Sequence, residues 1–270
     1  MRMLDARAIR ERLGENWPDA ELRVLSSVTS TSDVAWAWAE AGCPEGTAVF
    51  AEEQVRGRGR FGRTWHSPRG RDILLSVVLR PPTEEVSPAH LTALGAVAVA
   101  EAIEAEAGLR PQIRWPNDLT LGNRKVAGVL VECRGERVAP CVMGLGVNVN
   151  SRRDELPADL RSSATSLAAE AGRAFCREAI AGALLSRLCC RVADAVAGRW
   201  ELVAAAWRQR ASLVGQVVAV ESQGRAHRGR VVAADPLRGL ELELPNGERR
   251  ACRAEDTTLI LPGGEGCTGG

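Results

Sequence analysis

The stretch Gly57-Arg58-Gly59-Arg60-Phe61-Gly62-Arg63-Thr64-Trp65 decides how this chain is read. With Arg56 it sets four arginines among three glycines. Glycine lets backbone N–H groups approach an anion closely, and arginine supplies a forked donor suited to carboxylate or phosphate. Composition alone leaves two blander readings open, a solvated flexible loop and an RNA-binding segment of the arginine–glycine kind. Position favours a third. Residues 47–52 and 73–79 on either side read as apolar strands, so the loop joins two core strands and is placed to lie over an anionic ligand.

Working outward, residues 91–107 read as a buried helix, apolar nearly all round in its first half. Residues 113–115, 125–132 and 138–150 read as further strands of the same sheet, with Gly122-Asn123 as a tight turn. Upstream, Leu4, Ala8, Ile9 and Leu13 mark one short amphipathic helix before a turn at Trp17-Pro18. Downstream, Ile180, Leu184, Leu188, Val192 and Val196 recur at helical spacing, and Trp200, Val203 and Trp207 continue that face. After Leu213 the pattern changes to short strands at 216–220, 228–233, 240–244 and 249–252, with an Asn246-Gly247 hairpin signal. The expected organisation is a first domain over 1–212, a small C-terminal unit over 213–262, and a glycine-rich disordered tail over 263–270.

Composition narrows the function classes. The 270 residues are 45% hydrophobic and 26% charged, enough for a sizeable core. Thirty-five Lys and Arg against 34 Asp and Glu leave a net charge of +1, which argues against general electrostatic binding of nucleic acid or membrane. Residues 1–13 show no signal-peptide core, and the longest apolar stretch, 94–100, is too short to span a bilayer. A cytoplasmic protein is the expectation. Eight scattered cysteines without a C-x-x-C pair read as reduced thiols without chemistry. His66, His90 and His227 are not spaced as a ligand pair, so no protein metal site is expected.

Three further blocks stand out. Arg114-Trp115-Pro116-Asn117-Asp118-Leu119 ends a strand in a turn whose Asn and Asp can face a pocket, although a plain turn explains them equally. Lys125 opens an apolar strand interrupted by Gly128, where a ligand or another backbone can approach closely. Gly144-Leu145-Gly146-Val147-Asn148 lacks the third glycine and the following helix of a dinucleotide fingerprint. No Walker loop, nucleophile elbow or zincin motif occurs.

Together and in this order, these blocks and Ser30-Thr31-Ser32 with Gln54 resemble the biotin–protein ligases over roughly residues 22–262. The resemblance implies an α+β fold, a mixed β-sheet flanked by helices with a small C-terminal β-barrel. It implies an enzyme that joins biotin to ATP as biotinyl-5′-AMP, with Mg²⁺, and passes biotin to a lysine of a biotin carboxyl carrier protein or domain of an acyl-CoA carboxylase. By resemblance Ser30, Thr31, Ser32 and Gln54 meet the biotin head. Arg58, Gly59 and Arg60 close on the adenylate and also touch biotin, and Trp65 lies near the nucleotide. Lys125 contacts the biotin carboxylate and the phosphate. Asn117 and Asn148 lie near adenine, and Asp118 near the reacting centre. Lys125, Arg58, Arg60 and Asp118 are the expected catalytic set. Ser32 departs from the family's usual Asn, and Arg114 from its usual Lys. Only 29 residues precede Ser30, too few for the DNA-binding domain of some relatives, so no DNA partner is expected; nor is a membrane partner. Monomer and homodimer both stay open. Two alternatives remain: a lipoate or octanoate ligase or transferase of the same fold, and an RNA-binding module using the Arg/Gly loop.

Overall fold

The computed structural model describes residues 2–17, 19–81, 83, 85–134, 140–222 and 224–260. The proposed tail, Pro18 and the start of the 138–150 run lie outside the described residues. In chain order the elements are α1 (Ala6–Leu13), β1 (Leu22–Leu25), α2 (Thr31–Glu40), β2 (Ala48–Ala51), β3 (Ile73–Leu79), α3 (Pro88–Ala107), β4 (Gln112–Arg114), β5 (Asp118–Leu121), β6 (Arg124–Cys133), β7 (Cys141–Val147), α4 (Leu167–Ala171), α5 (Arg177–Val196) and α6 (Trp200–Arg210). Five strands follow: β8 (Val217–Ser222), β9 (Arg225–Asp235), β10 (Gly239–Glu243), β11 (Arg249–Cys252) and β12 (Thr257–Ile260).

Strands β1 to β7 form one mixed sheet in the order β1-β2-β3-β7-β6-β5-β4. Only β1 and β2 run parallel; the other pairs are antiparallel. Strands β8 to β12 form a separate antiparallel sheet, β11-β10-β9-β8-β12. The mixed sheet flanked by helices agrees with the expectation.

The two faces of the large sheet differ. On one, Phe50, Leu75, Val77, Met143, Leu145 and Val129 are fully or almost fully buried in the main core, which also includes residues of α3 and α5. Gly95 allows α3 to sit close to the sheet, since a Cβ there would lie 2.7 Å from Met143 Sδ. On the other face α2 covers only part of the surface, packing Ala35, Trp36 and Ala39 against Val49, Val78 and Val142. Burying these faces is what holds the elements together, at roughly 25 cal/mol per Å² of apolar surface removed from water.

The sequence reading needs several corrections. The helix start at Thr31 was missed; Ser30 is its N-cap, with Oγ accepting from Ser32 N–H. Strands β1, β5 and β12 and helix α4 were also unread, being too short for periodicity to register. Asp118 opens strand β5 instead of sitting in the turn. The long helical stretch is two helices, broken at Gly198, whose φ is 71°. Cys133 and Cys141 face each other across β6 and β7, 4.4 Å apart at Cα, and form a disulfide. The expectation of eight unpaired thiols is therefore corrected for this pair.

Candidate functional site

Where α2 leaves the second face uncovered, the sheet is built from small residues. Gly128 on β6 pairs with Gly146 on β7, and Gly144 lies opposite both Leu130 and Ser76. The 57–65 segment folds over this floor as a hairpin. Trp65 N–H donates to the Gly57 carbonyl at 3.0 Å, and Gly59 N–H to the Arg63 carbonyl at 2.7 Å. The Trp65 ring rests on the glycines: a Cβ on Gly146 would lie 2.5 Å from it, and one on Gly128 3.1 Å. Phe61 turns the tip with φ 55° and ψ 40°, a left-handed conformation unfavourable for a side chain this large.

One end of the cleft is lined by neutral hydrogen-bonding groups. Gln54 Oε1 accepts from Thr31 N–H at 2.8 Å and from the Thr31 hydroxyl at 2.9 Å. Ser76 Oγ stands 2.7 Å from Thr31 Oγ1 and 3.1 Å from Ser32 Oγ. Ser30, Thr31, Ser32 and Ser76 are all buried. Ser76 is a site residue the sequence reading missed. Its signal was present, as the one polar side chain in Ile73–Leu79.

The other end is charged. Lys125 Nζ lies 2.6 Å from Asp118 Oδ1, and Arg114 Nη2 donates to Asp118 Oδ2 at 3.0 Å. Burial pushes the Asp118 carboxyl up, but the Lys125 ammonium and the Arg114 guanidinium outweigh it and hold it below the usual carboxylate range. Lys125 Nζ also sits 5.3 Å from the centre of the Trp65 ring. A register shift in the β5–β6 ladder puts it there. Leu119 pairs with Ala127, but Thr120 pairs with Lys125, so Val126 is the extra residue of a bulge. Val126 and Ala127 both go to the core, and Lys125 emerges on the ligand face. Lys125 is also the only lysine in the chain.

Arg60 donates to the backbone carbonyls of Ala254 at 2.6 Å, Glu255 at 3.2 Å and Thr257 at 3.4 Å, and to Asn117 Oδ1 at 3.4 Å. Burial lowers its pKa. Asn117 Nδ2 donates to the Val129 carbonyl at 2.8 Å. Asn148 Nδ2 donates to the Thr165 carbonyl at 2.9 Å, while its buried Oδ1 has no partner among the described residues.

Two adjoining cavities result, of about 60 and 260 Å³. The smaller holds Ser30, Thr31, Ser32, Gln54 and Arg58; the larger holds Asp118 and Asn148. Gly59, Arg60, Trp65, Asn117 and Lys125 line both. Every residue expected at the site thus lines one cavity or the other. Leu156, Leu160 and Ala164, together with Thr258 and Leu259 of β12, complete the larger one without having been foreseen.

A family model described as the biotin/lipoate A/B protein ligase family matches residues 24–148. The chain is 34% identical over 233 residues to the bifunctional ligase/repressor BirA of Bacillus spizizenii, covering 84% of this chain and 71% of that one. It is also 34% identical over 233 residues to the biotin–[acetyl-CoA-carboxylase] ligase of Mycobacterium tuberculosis, covering 82% of each. The chain belongs to the biotin–protein ligase family. Among solved structures, the biotin–protein ligase of Aquifex aeolicus in complex with biotin and ATP superposes with a TM-score of 0.78 at 25% identity, covering 90% of this chain and 99% of that one. In this biotin–protein ligase the two chambers share Lys125 and Arg60 in their walls.

Proposed function

We propose that this chain activates biotin with ATP to biotinyl-5′-AMP and transfers biotin to a lysine of a biotin carboxyl carrier protein or domain of an acyl-CoA carboxylase. The observation that carries this reading is the pair of chambers joined at Lys125 and Arg60. The neutral end of the smaller chamber, Ser30, Thr31, Ser32 and Gln54 with Ser76 buried behind them, suits an uncharged head group that both donates and accepts hydrogen bonds. The larger chamber takes the nucleotide, with Leu156 and Leu160 as apolar walls and the unpartnered Asn148 Oδ1 as an acceptor for an exocyclic amine.

In the first half-reaction a biotin carboxylate oxygen attacks the α-phosphorus and pyrophosphate leaves. Two unit negative charges about 4 Å apart repel by roughly 4 kcal/mol at an effective dielectric near 20. Lys125 and Arg60 stand where they can offset that repulsion and the charge developing on phosphate. Among the described residues no group of three or more His, Cys, Asp or Glu side chains could hold a metal. Mg²⁺, which the family resemblance implies, would be held chiefly by the phosphates of ATP. Trp65 and the hairpin roof keep water from the mixed anhydride. In the second half-reaction a neutral carrier amine attacks the acyl carbon and AMP leaves. Asp118, held ionised by Lys125 and Arg114, can orient the amine, whose proton leaves to solvent or to the departing AMP phosphate as the amide forms.

The test is pyrophosphate exchange into ATP with Mg²⁺, comparing biotin, lipoate, octanoate and no acid. Exchange with biotin alone is expected, followed by transfer to a carrier domain. Exchange with lipoate or octanoate would move the chain to that branch of the fold, and no exchange with any acid would remove the adenylation chemistry.

A further inference from the structure

Arg58 and Arg60 are two residues apart, yet their surroundings differ in kind. Arg58 Nη1 donates to Asp33 Oδ1 at 2.5 Å, and its Nη2 to Glu132 Oε2 at 3.0 Å. These carboxylates come from two different elements, α2 and β6. Asp33 lies in the first turn of α2, directly after the Ser30–Thr31–Ser32 run. Glu132 lies near the end of β6, beside the Cys133–Cys141 cross-link that ties β6 to β7. All three side chains are partly exposed, at 34%, 44% and 29% for Arg58, Asp33 and Glu132. Burial works against the Arg58 charge, but the bonds to Asp33 and Glu132 more than compensate, and its pKa is raised. Arg60 instead rests on neutral carbonyls and an amide oxygen. An anion entering the cleft would compete with two carboxylates for Arg58, and with none in hydrogen-bond contact for Arg60.

We propose that Asp33, Arg58 and Glu132 form a strap that ties the 57–65 hairpin across the cleft, with Asp33 and Glu132 as positioning residues. Arg58 then acts by holding the roof in place, and the charge offered to carboxylate and phosphate comes from Lys125 and Arg60. The strap links the roof to the start of α2, so that a ligand seated against Ser30 and Thr31 and the loop above it are positioned by the same helix turn. The proposal deepens the ligase reading of this cleft and rests on it only for its kinetic arm.

The hairpin carries its own reporter, because Arg56, Arg58, Arg60 and Arg63 are trypsin sites. Limited trypsin digestion of the full chain without ligand, with peptides identified by mass spectrometry, measures how often the hairpin opens. Replacing both carboxylates (Asp33→Asn with Glu132→Gln) should speed cleavage within 56–63 by about fivefold or more, the scale of two partly exposed ion pairs, without changing cleavage elsewhere or the far-ultraviolet spectrum. The double variant should raise the KM for biotin with little change in the kcat of exchange. Arg58→Lys, which keeps the charge but loses the fork, should fall between it and the parent. Unchanged hairpin cleavage in a folded double variant would overturn the strap. So would a large loss of kcat at constant KM in Arg58→Gln, which would mark Arg58 as a charge acting on the reaction. If the parent protein shows no exchange at all, the ligase reading fails, while the cleavage rates still decide the strap.

Discussion

The two chambers of the cleft are neighbours that solve opposite electrostatic problems. The smaller has the neutral side chains Ser30, Thr31, Ser32 and Gln54 at one end, backed by the buried Ser76, and shares Arg60 and Lys125 with the larger. The larger brings Lys125 and Arg114 each within hydrogen-bond distance of Asp118. Neutral groups fix orientation at low desolvation cost, whereas burying charge is tolerated only where charges pair. On the proposed reading, recognition and reaction are separated along one sheet surface, with Trp65 lining both chambers. The comparison predicts that changes at the charged end act on rate, and changes at the neutral end on affinity.

The largest effect is expected for Lys125→Ala, which should lower the exchange rate by about a hundredfold or more, the scale of removing one preorganised charge donor from a transition state. Exchange retained within about tenfold would break the division between the chambers. Gly146→Ala comes next. Its Cβ would overlap the Trp65 ring at 2.5 Å, so the ring would have to shift into the cavities it lines. Overpacking of this kind costs about 1–3 kcal/mol, read as a lower melting temperature, with weaker binding in both chambers because Trp65 lines both.

The Asp118 carboxyl sharpens the comparison through pH. Its folded pKa is depressed, so the stability it contributes is present above the ordinary carboxylate value and is lost as pH falls through the depressed value. The difference in melting temperature between the parent and Asp118→Asn should therefore be constant from neutral pH to about 5 and shrink only below about 4. A difference that fades near neutral pH would contradict the depressed value. The smallest effect is expected for Ser76→Ala, which removes one partner from the hydroxyl cluster. A loss near 1 kcal/mol, about fivefold in head-group affinity by calorimetry, with an unchanged KM for ATP, would confirm that the neutral end acts on binding alone.

The apolar strands that frame the hairpin, the buried helix α3, and the order of the blocks 30–32, 54–65, 114–119, 125–132 and 144–150 were legible in the residues alone. These are local signals. An apolar run, a glycine in a strand or a Gly/Arg loop keeps its meaning whatever surrounds it, and even Ser76 was visible as a lone hydroxyl among aliphatics. What required the tertiary structure was the direction of side chains and the meeting of distant segments. One bulged residue at Val126 turns Lys125 from the core face to the ligand face, and strand periodicity alone would have pointed it the wrong way. The carbonyls that hold Arg60 lie 194 to 197 residues further along the chain, and Glu132 meets Arg58 across 74. No spacing rule reaches so far. These contacts exist because the second sheet and the end of β6 are carried to the hairpin by a core formed on the opposite face of the large sheet.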